Sequence, residues 1–225
     1  MKNEWSKIAE NVSGIQVTKN RVLNPILYEL LNKHATGKDL FEYGCGWGEF
    51  ANETHESGFN VTAFDEANEM VNYANKHFPG PIFMCKSEFE ADLEKLKGQF
   101  DVVTSNLVLC ILEKEQQDIL LARVAFLLKK DGIAIISFCH PKYDYLKDSL
   151  VSKRFTPPEA QYKNEFVYEK EIKENGIRFK DIHRPLEYYL NLFERHDLEV
   201  IEQRESDVLG TEYMPDFIIF TLRQI

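Results

Sequence analysis

The chain has 225 residues, of which 44% are hydrophobic and 12% aromatic, enough apolar material for one sizeable core and too much for a disordered chain. Asp and Glu (37) outnumber Lys and Arg (27), and the resulting net charge of −10 makes a phosphate backbone, and so nucleic acid, a poor partner. No run approaches the roughly 18 consecutive apolar residues of a membrane span, and the opening Met1-Lys2-Asn3-Glu4-Trp5-Ser6 has no apolar signal segment. Cys45, Cys85, Cys110 and Cys139 are scattered, without a Cys-x-x-Cys pair, which fits reduced thiols in a cytoplasmic protein better than disulfides or zinc.

Residues 1–35 read as a helical cap, with Trp5, Ile8, Val22, Leu23, Ile26, Leu27, Leu30 and Leu31 as its apolar stripe and Pro25 near a helix start. Trp5 either folds over a ligand or packs into a core groove, and Lys19 and Arg21 read as solvated. Strands are then expected at 38–43, 60–64, 82–85, 100–104 and 133–138, separated by helices at 50–57, 68–77, before Leu96 and at 114–128. Asp131-Gly132 reads as the turn before the last and most apolar of these strands. Continuous apolar strands alternating with helices imply βαβ units around a parallel sheet, a doubly wound α/β fold with helices on both faces.

Residues 141–183 break this rhythm and read as a lid or substrate insertion, rich in Tyr, Lys and Glu. Within it, 165–172 and 177–182 flank Asn175-Gly176, a hairpin turn signal. A helix after Pro185 and strands at 198–204 and 217–222 complete a single domain spanning 1–225.

The first strand runs into Glu42-Tyr43-Gly44-Cys45-Gly46-Trp47-Gly48 with a helix behind it. Alternate glycines let the chain turn sharply and let a ligand approach the amides; a plain turn needs only one. The dinucleotide fingerprint wants a third glycine where Glu49 stands, and a carboxylate there opposes a pyrophosphate. Asp65, 21 residues after Gly44, suits two ribose hydroxyls, although a helix cap competes for it. Glu42 suits a ligand bearing an ammonium group.

These residues resemble the first two motifs of the class I S-adenosylmethionine-dependent methyltransferases. The resemblance continues through Met70 and Ala74-Asn75-Lys76, Phe100 to Leu107, and Leu127 to Gly132, covering about 38–140. It implies a Rossmann-like sheet of seven strands, mostly parallel, with an antiparallel strand at the C-terminus. It also implies S-adenosyl-L-methionine as cofactor, held by Glu42, Gly44, Cys45, Gly46 and Gly48 at its methionine end. Asp65 would hold the ribose, Met70, Ser87 and Glu88 would flank the adenine, Asn106 and Leu107 would line the sulfonium, and Glu66 is a further cofactor-binding candidate.

Ser105-Asn106-Leu107-Val108 lacks the Asn/Asp-Pro-Pro-aromatic motif of nucleobase and glutamine nitrogen methylation, and Cys110 reads as a buried small hydrophobe. The Asp clusters of metal-dependent members are missing, so no metal is expected. The resemblance points to the small-molecule branch, with a small-molecule methyl acceptor and transfer to oxygen or nitrogen. His140 and His183 are the candidate bases, because histidine titrates near neutral pH, though each has an ordinary structural reading too. Tyr143, Phe155, Tyr162, Phe166 and Tyr168 are expected to wall the site. The alternatives are an NAD(P)-linked oxidoreductase and a non-catalytic partner subunit, and no motif sets an oligomeric state.

Overall fold

The computed structural model describes residues 17–141, 149, 151–206 and 215–225. Helix α1 (Val17–His34) buries Val22, Leu23, Ile26, Leu27, Leu30 and Leu31, the stripe expected from the 3.6-residue period. Each such aliphatic contributes about 1.5–3 kcal/mol of gross burial energy. Pro25 lies inside this helix, not at its start. It is tolerated because Pro25 and Arg21, whose carbonyl loses its intrahelical donor, both face outward where water can replace it. Trp5, Ile8 and Tyr143 lie outside the described residues.

Strands β1 (Asp39–Tyr43), β2 (Asn60–Phe64), β3 (Ile82–Met84), β4 (Phe100–Asn106) and β5 (Leu128–Cys139) pair in parallel. Between them run α2 (Glu49–Glu56), α3 (Asn68–His77), α4 (Lys86–Leu96) and α5 (Lys114–Leu127), with a 3₁₀ turn at Leu109–Ile111. Helix α6 (Leu186–Arg195) leads into β9 (Leu198–Glu205), and β10 (Phe217–Gln224) inserts antiparallel between β5 and β9. The sheet order is β3-β2-β1-β4-β5-β10-β9, so the chain reverses its winding between β1 and β4. Ligands of open α/β sheets bind at such a switch point, beyond the carboxyl ends of the strands.

Burial explains the composition of the central strands. Ile133 to Cys139 is buried without interruption, as a strand covered on both faces must be. The expected turn at Asp131-Gly132 is instead a bulge within β5: Phe100 pairs with Leu128 and Val102 with Ile133, leaving Lys129 to Gly132 opposite Asp101 alone.

The insertion folds as its own antiparallel sheet, β6 (Ser152–Phe155), β7 (Phe166–Ile172) and β8 (Arg178–His183). The hairpin turn forms at Asn175-Gly176, with Gly176 at φ 71°. Strand β6 carries no sequence signal, since Ser152-Lys153-Arg154-Phe155 is short and mostly polar. Arg184, fully buried, fastens the end of the insertion by donating to the Leu112 carbonyl at 2.9 Å and to Glu165 at 3.0 Å.

Candidate active site

A cavity of about 380 Å³ lies at the switch point and has two halves. The first is built on the ends of β1, β2 and β4. Gly44 and Cys45 donate their amides to the Phe64 carbonyl (2.7 and 2.9 Å), which locks the turn onto β2. Gly44 has φ 83°, and a Cβ there would stand 2.3 Å from Val108 Cγ2, so only glycine fits. Gly48 starts α2 in the left-handed region and packs against Ala74 and Phe83; it supports the turn without lining the cavity.

Asp65 serves the turn directly. Its Oδ2 accepts from the Gly46 amide and its Oδ1 from the Ala67 amide, both at 2.8 Å. Asp65 is thus not the helix cap, which is Ala67; it closes the short turn ahead of the helix, and each carboxylate oxygen keeps a further lone pair for a ligand. Burial pushes the Asp65 carboxyl up, and the Ala67 and Gly46 amides oppose that. Met70 is buried in α3 and lines the same half, whereas Glu66 is exposed at its rim and pairs with Lys86 at 2.9 Å.

Glu42 is the most unusual group. It ends β1 only 2% exposed, and its Oε2 has no hydrogen-bond partner among the described residues. Burial pushes its carboxyl up to about 8, against the Lys19 ammonium and the Asn106 amide, which favour the charged form. The Asn106 carboxamide accepts from Ser137 Oγ at 3.0 Å, and its buried Nδ2 faces Glu42 without a hydrogen bond of full geometry to any described residue. Leu107 has φ 62°, a strained value for a branched residue, held by its amide donating to the Ser137 carbonyl at 2.8 Å.

Lys19, expected to be solvated, instead faces Glu49, Glu42 and Glu53 from the first turns of α1, and burial lowers its pKa. Glu49 and Glu53 tie α1 to α2 through Asn20 (3.2 Å) and Asn24 (3.1 Å). Two sequence expectations are corrected here. Ser87 and Glu88 do not line the cavity: Glu88 accepts from the Cys85 amide at 2.8 Å and caps α4, and Ser87 Oγ meets Cys85 Sγ at 3.1 Å.

The second half lies where the insertion meets β5. Neither candidate histidine lines it. His140 is 2% exposed, with Nε2 3.0 Å from Glu205 Oε1 on β9 and its amide on the Asp216 carbonyl. His183 Nε2 is 2.7 Å from the Tyr162 carbonyl, and its ring stacks on Phe166 at 4.6 Å. Both rings are committed to joining elements. Phe155, Tyr162, Phe166 and Tyr168 also lie off the cavity; Phe166 and Tyr168 share the inward face of β7 but sit nearer its His183 end.

The groups that do line it are Cys110, Cys139, Lys170 and Asp181, among Val151, Ile172, Phe179 and Phe217. Lys170 Nζ is 2.7 Å from Cys139 Sγ and 3.6 Å from Asp181 Oδ2, and all three residues are buried. Burial opposes the Lys170 charge, but Cys139 and Asp181 outweigh it and raise its pKa. The ligand atoms of Cys110, Cys139 and Asp181 lie within 4.8 Å of one another, a spacing that suits a metal ion, but the Lys170 ammonium already supplies positive charge there. The sequence signal was available: in Phe166-x-Tyr168-x-Lys170-x-Ile172 the lysine falls on the apolar face of a period-2 strand.

Comparison with known proteins agrees with this geometry. Residues 16–203 match the family model described as a methyltransferase domain. The chain belongs to that family. Its fold is that of the S-adenosylmethionine-dependent methyltransferases. It is 28% identical over 153 residues to phosphoethanolamine N-methyltransferase 1 of Zea mays, covering 64% of this chain and 29% of that one. It is 31% identical over 87 residues to a ubiquinone biosynthesis O-methyltransferase of Nitrosospira multiformis, 36% of each chain. The chain thus spans only 29–36% of the length of these curated relatives. An S-adenosylmethionine-dependent methyltransferase from Mesorhizobium loti shares the fold, at TM-score 0.64 and 23% identity, covering 89% of this chain and 96% of that one. Among the described residues, no helix is long and apolar enough to cross a membrane.

Proposed function

We propose that residues 1–225 form one methyltransferase domain that transfers a methyl group from S-adenosylmethionine to an oxygen or nitrogen of a small-molecule metabolite. Helix α1 would form its cap and the β6–β8 sheet its acceptor-side insertion. The observation that carries this reading is Glu42: a buried carboxylate oxygen without a partner among the described residues, on the cavity wall beside the glycine turn, calls for a cationic donor. The cofactor's α-ammonium supplies one. Glu49 at the start of α2 would repel the pyrophosphate of a dinucleotide, which disfavours the oxidoreductase reading.

When bound, the cofactor supplies an electrophilic methyl on a sulfonium. Glu42 would hold the ammonium, and Lys19 stands on the same wall to meet the carboxylate beside it. Asp65 would accept from the ribose hydroxyls with its remaining lone pairs. Gly44 to Gly46 would present backbone, and Asn106 and Leu107 would orient the reacting end.

In the acceptor half, Ile172, Phe179 and Phe217 would wall an apolar body, while Lys170 and Asp181 offer one donor and one acceptor to a polar substituent. Orientation and exclusion of water supply most of the acceleration, proximity alone being worth about 7–11 kcal/mol. The relatives named for phosphoethanolamine and ubiquinone biosynthesis support small polar or hydroxylated aromatic acceptors. The net charge of −10 disfavours nucleic acid, and four free thiols favour the cytoplasm.

The test is calorimetric titration with S-adenosylmethionine, S-adenosylhomocysteine, NAD and NADP, followed by labelled methyl transfer to phosphoethanolamine and to dihydroxylated aromatics. Binding of the sulfur nucleosides alone, with turnover on any acceptor, is expected. Binding of a dinucleotide would overturn the reading. Cofactor binding without turnover would favour a partner subunit.

A further inference from the structure

Cys110 and Cys139 come from different elements, the 3₁₀ turn and the end of β5, yet their sulfurs lie 3.9 Å apart, with the Cys110 thiol directed at Cys139. Three further groups face Cys139. Lys170 Nζ from β7 donates to its sulfur at 2.7 Å, Asp181 Oδ2 from β8 accepts from its thiol form at 3.3 Å, and the Arg154 guanidinium acts from β6. The hydrogen bond from Cys110, with Lys170 and Arg154, favours the Cys139 thiolate against burial and Asp181, and its pKa falls. Cys110 is pushed the other way by the same bond and by burial.

The pair therefore sets a sulfur that accepts from an ammonium at 2.7 Å beside a second sulfur within reach, and the two are pushed in opposite directions. A nucleophilic thiolate next to a resolving thiol is the arrangement that reduces peroxides. Cys139 and Cys110 both line the cavity, which gives a small reagent a route to them despite their burial. The other two cysteines lack this environment. Cys45 is pushed up by burial and by Asp65 and Glu42, and Cys85, the most exposed, has only Ser87 Oγ at 3.1 Å and the α4 cap around it.

We propose that Cys139 and Cys110 form an oxidation site for hydrogen peroxide and other small hydroperoxides, closing to a disulfide in the acceptor half of the cavity. The Cys139 thiolate attacks one peroxide oxygen; the S–O bond forms, the O–O bond breaks, and the departing hydroxide takes a proton from solvent to become water. The Cys110 sulfur then attacks the Cys139 sulfenic acid; the S–S bond forms, the S–O bond breaks, and the hydroxyl leaves as water with the Cys110 proton. Two sulfurs are oxidised and one peroxide is reduced to two waters.

The disulfide removes the Cys139 charge facing Lys170, leaves Asp181 as its remaining anionic neighbour, and tethers β5 to the 3₁₀ turn, while Glu42 and Asp65 are untouched. Oxidation thus alters the acceptor half and spares the cofactor half. That consequence rests on the methyl-transfer reading; the dithiol chemistry does not.

The experiment treats the reduced, chelator-washed protein with hydrogen peroxide, quenches at intervals with an alkylating agent, and maps peptides without reduction by mass spectrometry. The Cys110–Cys139 disulfide is expected to form before Cys85 is oxidised, and S-adenosylhomocysteine affinity is expected to persist in the oxidised protein. Cys110→Ser is expected to stop at a Cys139 sulfenic acid trapped by dimedone. Lys170→Met should slow Cys139 oxidation about tenfold or more by reducing its thiolate fraction, and Lys170→Arg should restore the rate. Oxidation of Cys85 first, with Cys110 and Cys139 still reduced, would overturn the proposal in the wild-type protein alone. Equal rates in a folded Lys170→Met would overturn the role of the ammonium. Absence of cofactor binding would refute the methyl-transfer reading and leave the dithiol result standing.

Discussion

The two halves of the cavity solve opposite electrostatic problems. In the cofactor half a carboxylate is buried with an unfilled valence: Glu42 Oε2 has no partner among the described residues, and its pKa is driven to about 8. In the acceptor half the buried charges are already matched, with Lys170 against Cys139 and Asp181. The contrast teaches where binding energy comes from. In the first half Lys19 and Asn106 only partly offset that burial, so a ligand cation completes an interaction left unfilled. The second is satisfied when empty, so an acceptor must exchange its own hydrogen bonds for existing ones, which favours selectivity over raw affinity.

Breaking the matched half should have the largest effect on stability. Lys170→Met strands Asp181 in a buried site and is expected to cost about 3–5 kcal/mol in chemical denaturation, with cofactor affinity little changed in the folded fraction. Gly44→Ala comes next, because a Cβ would clash with Val108 at a positive φ. A loss of about 2–4 kcal/mol is expected, together with loss of cofactor binding. Gly176→Ala is the control: φ is also positive, at 71°, but nothing lies within 4 Å, so only the left-handed cost of about 1–2 kcal/mol applies.

Glu42→Gln sharpens the comparison because stability and binding should move in opposite directions. The Glu42 pKa is raised in the folded chain, so between about 4.5 and about 8 the folded state holds a proton that the unfolded state has released. Its contribution to stability therefore falls as pH rises through that window. The variant should be more stable than wild type at pH 8, by about 1–3 kcal/mol, the penalty of an unpaired buried group. The smallest effects are expected from His140→Ala and His183→Ala, each losing about 1 kcal/mol of stability with cofactor affinity within about twofold of wild type. A selective loss of turnover in either would return that histidine to the chemistry.

The parallel strands and the glycine turn were legible because their signals are local: unbroken apolar runs such as Ile133 to Phe138, and glycines where the backbone needs them. The polar groups of the acceptor half were not. Lys170, Asp181 and Cys139 meet only because a three-stranded sheet folds against the end of β5, and its first strand, β6, has no pattern of its own. The histidines misled for a related reason. His140 does leave β5 at the expected edge, but the neighbouring strand β9 supplies Glu205 to hold its ring away from the cavity. Ser87 and Glu88 fell to a competing local demand, the capping of α4.

The most direct test of the central claim is the pH dependence of S-adenosylmethionine affinity, measured by calorimetry for wild type and Glu42→Gln. If Glu42 binds the ammonium as a carboxylate, wild-type affinity relative to the variant rises from pH 6 to about 8 as the proton is displaced. Above that pH the variant should bind about 10–100-fold more weakly, the value of a charge-assisted hydrogen bond. Equal affinities across the range, with both proteins folded, would contradict the account.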